Sequence, residues 1–268
     1  MLESRVPRGR VLIIAGSDSG GGAGVQADIK TVTALGGYAA TAITAITVHN
    51  TLGVTGVHPI LPAIVVAQAE AVLTDIGADA IKIGMLGEAA AAVADLLAAW
   101  PGIPVVLDPV MIAKGGAQLA DARGVETLRR RFLPLAALIT PNAPEAAALT
   151  GLRVETTDDL RRAGEALLAA GCPATLMKGG HITGERLIDV LMTAQGEVTF
   201  EGPRIETRHT HGTGCTLASA CATGLAQGLS LEAAVARAWA YVAEAIRRAP
   251  GFGAGAGPLD HAWPLRPK

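Results

Sequence analysis

Six short apolar runs, "RVLIIAG", "AATAITAITV", "DAIKIGML", "IPVVLDPV", "ALITPN" and "ATLMKGG", recur along the chain, and glycine or polar residues close each one. Between them the apolar positions switch to helical spacing, as at Val25, Ile29 and Val32, or at Val65, Ala69, Val72, Leu73 and Ile76. Strands that alternate with longer amphipathic stretches specify a mostly parallel sheet covered by helices, so the pattern predicts a doubly wound α/β fold. After Lys178 the texture changes. "RLIDVLMTAQGEVTFEGPRIETRHT" predicts antiparallel strands, joined by a Gln-Gly turn, that close one sheet edge. Helices are expected over about 213–227 and 230–248, the second capped by Ser230, followed by a Gly/Pro-rich irregular tail over 249–268. No internal repeat or long linker divides the chain, and one domain with its core over about 11–248 is expected.

With 268 residues, half of them hydrophobic, the chain can bury a large core. Its 22 basic and 24 acidic residues are mixed and leave a net charge of −2, which provides no basic face for nucleic acid and no polybasic membrane patch. A small neutral or anionic substrate is the better match. Cys172, Cys215 and Cys221 form neither a disulfide framework nor a metal clip, and an odd count points to the reducing cytoplasm. Thr31 to Ala69 contains no Asp, Glu, Lys or Arg, but glycines, His49, Asn50 and Pro59 interrupt it, so it reads as buried sheet and loop rather than a membrane span. The N-terminal "MLESRVPRGR" lacks the features of a secretion signal.

In sheets of this kind ligands sit beyond the carboxyl ends of the strands. There the sequence places Gly16-Ser17-Asp18, His49-Asn50, Gly84-Met85, Asp108-Pro109, Pro141-Asn142 and Lys178-Gly179-Gly180. The loop "GSDSGGGAGVQAD" formally contains a dinucleotide fingerprint, but no acidic residue occurs between Asp28 and Glu70 to hold a ribose, and no Gly-Lys-Ser/Thr phosphate loop exists anywhere. A plain turn and a ligand loop both fit it. Asp28 lies on the inward face of the following helix, where a substrate donor would offset the cost of an unpaired carboxylate.

Lys178 ends an apolar strand before two glycines; it either snorkels to solvent or holds a phosphate. Asn142 and Glu145 serve equally as an ordinary helix start or as organisers of hydrated Mg²⁺ at bound phosphates. In "HTHGTGCTLASACATG", Gly212, Thr213 and Gly214 let backbone N–H groups converge at a helix start, an anion site suited to a transferring phosphoryl group. Cys215 shares that turn, where a lowered thiol pKa is expected; its other reading is a small buried hydrophobe, the class to which Cys221 belongs. His209 and His211 have no evident partner cluster for zinc.

Taken together, "AGSDSGGGAGVQADIKT", "ITVHNTLGV", "KIGMLG", "LDPVM", "ITPNAPEAAALTG", "LMKGGH" and "THGTGCT" closely resemble, in order and spacing, the hydroxymethylpyrimidine/phosphomethylpyrimidine kinases of thiamine synthesis, within the ribokinase-like superfamily. The resemblance runs from about Val11 to Val242. It implies a three-layer α/β/α sandwich without a separate lid domain, ATP and Mg²⁺ as cosubstrates, and a homodimer. It also implies that Cys215 stands where sugar kinases carry a catalytic Asp, with Gly212 to Cys215 as anion hole. Lys178 would face the ATP phosphates, with Asn142, Glu145 and Asp108 in the metal and phosphate network. Gly16, Ala23, Asp28, Met85 and Val110 would line the pyrimidine pocket. His49 replaces a glutamine that commonly contacts the pyrimidine, although a histidine still offers one donor and one acceptor. The alternatives are a pyridoxal/pyridoxine kinase and a non-catalytic pyrimidine- or nucleotide-binding module; the set Asp28, Lys178, Glu145 and Cys215 argues against the latter.

Overall fold

The computed structural model describes residues 8–111 and 122–266, so most of the N-terminal stretch weighed as a secretion signal and the last two residues of the tail fall outside it. Six strands, β1 (Arg10–Ala15), β2 (Tyr38–Ile43), β5 (Ala80–Ile83), β6 (Val105–Leu107), β7 (Leu138–Ile139) and β8 (Ala174–Met177), run parallel in one sheet. The predicted antiparallel edge is β9 (Arg186–Thr193) and β10 (Gly196–Pro203), which complete the eight-stranded order β10-β9-β8-β7-β6-β5-β1-β2.

Both faces of the sheet are covered because the parallel strands are apolar on both sides. Leu12, Ile14, Ile81 and Ile83 turn to one face and pack with α2 (Pro62–Asp75), α3 (Ala90–Ala99), α5 (Ala143–Thr150) and α6 (Thr157–Ala169). Val11, Ile13, Ala15 and Ala80 turn to the other and pack with α1 (Gly24–Ala34), α7 (Thr213–Ala226) and α8 (Leu231–Arg247). Local signals begin these helices. Capping boxes open α5 at Asn142 and α6 at Thr156, and the expected Ser230 cap accepts from the Ala233 N–H.

The charge-free stretch departs from expectation. "AATAITAITV" is not one strand: it breaks at Thr44, and its second half, β3 (Ala45–Asn50), pairs with β4 (Gly53–Pro59) in a separate two-stranded sheet. This hairpin is not buried throughout. Thr47 is buried, whereas Ile46 and Val48 on the opposite face are 43% and 61% exposed, and Val57, across from Thr47, is 50% exposed. A register shift between Val48 and His49 re-aims the end of β3. No helix among the described residues is long and apolar enough to cross a membrane.

Helix α7 carries the glycine turn, and α8 holds it in place by a close crossing at Gly224. A Cβ built there would lie 2.6 Å from Ala234 Cβ and 2.9 Å from Ala234 Cα. Alanine in a helix gains about 0.5–1 kcal/mol over glycine, but overpacking against a backbone atom costs about 1–3 kcal/mol. The second effect dominates. Gly224→Ala is expected to lower the unfolding free energy in urea by about 1–2 kcal/mol at unchanged m-value; a stabilised variant would show that α8 can move away freely.

Candidate active site

The polar strand endings converge. Gly16, Asp18, His49, Met85, Asp108, Asn142 and Lys178 all border one cavity of about 790 Å³ beyond the carboxyl edge of the sheet. Ala23, Val110, Glu145 and the turn Gly212–Cys215 border it too. Of the site residues that the family resemblance implies, Asp28 alone does not.

Gly212 precedes α7 with φ +84°, and a Cβ there would overlap the Gly22 carbonyl oxygen, so only glycine lets the two loops touch. The Thr213 N–H turns toward the Thr210 carbonyl at 3.4 Å, leaving Gly214 and Cys215 at the open helix start. Lys178 stands beside them: a Cβ on Gly214 would come within 3.1 Å of its Nζ. The Lys178 Nζ lies 3.1 Å from Asp108 Oδ1 and 3.8 Å from Glu145 Oε2. Burial works against its proton, but Asp108 and Glu145 outweigh it and hold the ammonium above the usual lysine range. Lys178 is therefore an internal cation, not a snorkelling one.

Asn142 and Glu145 satisfy the helix-start reading in full. The Glu145 N–H donates to Asn142 Oδ1 at 2.9 Å, and the Asn142 N–H donates to Glu145 Oε2 at 2.8 Å. Burial pushes the Glu145 carboxyl up to about 7 against the opposing charge of Lys178. Two carboxylates thus share one ammonium, a donor set with negative charge to spare that suits a hydrated divalent cation.

Two expectations need correction. Burial pushes the Cys215 thiol up to about 12, with Lys82 only partly opposing it, so the thiol pKa is not lowered. The helix start is outweighed by desolvation, which depends on tertiary packing. Asp28 meets no substrate donor; its fully buried carboxylate pairs with the equally buried Lys82 at 2.8 Å and accepts from Ser219 Oγ at 2.7 Å. The cost foreseen for Asp28 is offset from within the core. A charged residue inside the apolar run "AIKI" was the available signal for Lys82.

His211 does find a cluster. Its Nε2 lies 2.8 Å from Asp18 Oδ2, His49 Nδ1 lies 3.4 Å from Asp18 Oδ1, and the two imidazole rings meet edge to face at 4.7 Å. Asp18 also accepts from the N–H groups of Gly20, Gly22 and Ala23, so its oxygens are engaged in hydrogen bonds. Burial pushes this carboxyl up, but the His211 contact, the Ala23 N–H and the charges of both histidines outweigh it and hold it at about 2. Burial keeps His49 below its ordinary value, so the ring is neutral at neutral pH and presents one donor and one acceptor. Ile205, Trp239, Val242 and Ile246 give the cavity apolar lining that the motifs did not reveal, because it comes from α8 and the residues just after the antiparallel edge.

A family model described as phosphomethylpyrimidine kinase matches residues 18–260. The chain is 49% identical over 257 residues to the thiamine biosynthesis bifunctional protein ThiED of Geobacter sulfurreducens; the match covers 95% of this chain but only 52% of that longer protein. It is 48% identical to the hydroxymethylpyrimidine/phosphomethylpyrimidine kinase of Streptomyces coelicolor, over 95% of each chain. The structure is similar to the ADP complex of Bacillus subtilis pyridoxal kinase, with a TM-score of 0.90 at 34% identity over 97% of this chain and 100% of that one. A glycine turn at a helix start, a buried lysine and paired carboxylates on this sheet edge, with identity sustained over nearly the whole chain, lead to one conclusion: the chain belongs to the phosphomethylpyrimidine kinase family.

Proposed function

We propose that the chain acts as one kinase domain that transfers the γ-phosphoryl group of ATP to 4-amino-5-hydroxymethyl-2-methylpyrimidine and then to its monophosphate, in thiamine biosynthesis. The observation that carries this reading is the open α7 start facing the same cavity as Lys178, Asp108 and Glu145. Catalysis of phosphoryl transfer is mostly positioning and charge stabilisation, which this arrangement supplies. The N–H groups of Gly214 and Cys215 would take the charge on the equatorial phosphoryl oxygens, and Lys178 would hold the triphosphate. Mg²⁺, with Glu145 and Asn142 in its outer shell, would neutralise the phosphates when bound. The apolar wall at Trp239 and Val242 suits the adenine. His49, Ala23, Met85, Val110 and Gly16 line the end fit for the pyrimidine, with Asp18 holding the His49 ring. The setting proposed is the cytoplasm, where Cys215 stays a thiol.

In the first transfer Cys215, having first given up its own proton to water, takes the hydroxyl proton as the hydroxymethyl oxygen bonds to the γ-phosphorus and the bond to the β,γ-bridging oxygen breaks, releasing ADP. In the second the nucleophile is a phosphate oxygen that is already an anion. Cys215→Ala is therefore expected to lower kcat of the first step by on the order of 10²-fold and the second step far less. Equal rates in both steps would leave the backbone turn as the whole of the machinery.

A pyridoxal kinase reading is favoured by the TM-score of 0.90 with the Bacillus enzyme, although identity is higher to the pyrimidine kinases. Turnover of the two ring systems side by side separates the readings. Loss of the His49 hydrogen bond in His49→Ala is expected to raise the KM for the pyrimidine about tenfold and to leave the KM for ATP nearly constant; equal effects would remove His49 from the pocket.

Glu145 supplies a pH dependence. Its carboxyl titrates near 7, so acidification from pH 8 to 6 removes the carboxylate. The KM for Mg·ATP is expected to rise over that interval in the wild-type protein and to stay flat in Glu145→Gln. Lys178→Met should weaken ATP use and spare pyrimidine binding, as initial-rate kinetics would report.

The homodimer implied by the family resemblance has a candidate face in the outer side of the β3–β4 hairpin, where Ile46 and Val48 are exposed. Sedimentation should give twice the chain mass, and Val48→Glu should shift it to the monomer.

A further inference from the structure

A lysine in the strand Ala80–Ile83, where every residue is buried, needs a reason. Taking an ammonium out of water is costly, and apolar side chains of similar volume often replace a buried ion pair without loss of stability. Strand parity explains where Lys82 goes. Ile81 and Ile83 face the α2–α3 side, so Ala80 and Lys82 face α1 and α7. There Nζ lies 2.8 Å from Asp28 Oδ2, and Asp28 Oδ1 accepts from Ser219 Oγ at 2.7 Å. Both partners sit one helical turn below residues of the cavity, Asp28 below Gly24 and Ser219 below Cys215. Lys82 itself borders the cavity.

We propose that Lys82 is a positioning residue for phosphoryl transfer: its ammonium, fixed by Asp28 and Ser219, supplies the positive charge beneath Cys215 that the sulfur needs to accept the substrate's hydroxyl proton. The proposal rests on the reading of Cys215 as proton acceptor. The thiol first loses its proton to water. The hydroxyl proton then moves to the sulfur as the hydroxymethyl oxygen bonds to the γ-phosphorus and the bond from that phosphorus to the β,γ-bridging oxygen breaks, releasing ADP. The groups acting on the sulfur come from several elements: Lys82 on β5 and the Gly24 N–H at the start of α1 favour its charge, while Asp28 on α1 and Asp108 after β6 oppose it. Burial works against the proton of Lys82, but Asp28, Cys215 and Asp108 keep the residue protonated.

The test is iodoacetamide alkylation of Cys215 from pH 7 to 10, read by peptide mass spectrometry, with initial-rate kinetics alongside. Lys82→Met alone leaves Asp28 buried without its partner and is prone to unfold. The double variant Lys82→Met/Asp28→Asn removes both charges and keeps the Ser219 hydrogen bond. In that variant alkylation at a given pH is expected to fall roughly three- to tenfold, following the loss of thiolate. The kcat of the first phosphorylation should fall by a similar factor while the KM for ATP holds. An unchanged alkylation profile in the folded double variant, with Cys215→Ala still impaired, would overturn the role of Lys82 alone. Normal turnover by Cys215→Ala would overturn the proton-acceptor reading and this proposal with it.

Discussion

One carboxylate ties the site together. Asp18 accepts from three backbone N–H groups of its own loop and from His211, a residue 193 positions away. A single side chain so fixes its own glycine loop against the turn that leads into α7. Because Gly22 and Gly212 are in backbone contact at the same place, neither loop can shift without the other. Preorganised donors of this kind do not need to reorganise when charge develops on a ligand.

The charges inside the site fall into two sets with different work. Lys178, Asp108 and Glu145 face the cavity, one ammonium shared between two carboxyl groups. Asp28 and Ser219 lie behind the wall and balance the charge of Lys82, which borders the cavity. A buried pair is weak evidence for stability, which is why its position under Cys215 carries more meaning than its strength.

Much of this was legible in the sequence. Each parallel strand announced itself as a short apolar run, and the polar residue at its end was placed on the right edge by the general geometry of such sheets. Ser230 and Asn142 read correctly as helix starts because capping is local chemistry. What escaped depends on partners far along the chain. Asp28 could not be paired with Lys82, nor His211 with Asp18, without knowing which helix faces which strand. The Cys215 thiol was misjudged for the same reason: a helix start is visible in sequence, but the desolvation that outweighs it is not. The break at Thr44 was hidden because both halves of "AATAITAITV" favour strand equally, and only the edge position of β2 decides where the chain leaves the sheet.

His211 is held by more than Asp18. Its N–H donates to the Gly257 carbonyl, and it forms a bridge with Pro258. The Asp18 loop and the turn before α7 therefore share an anchor in the Gly257–Pro258 segment. The irregular segment after α8 is thereby part of the frame of the site and not a loose tail.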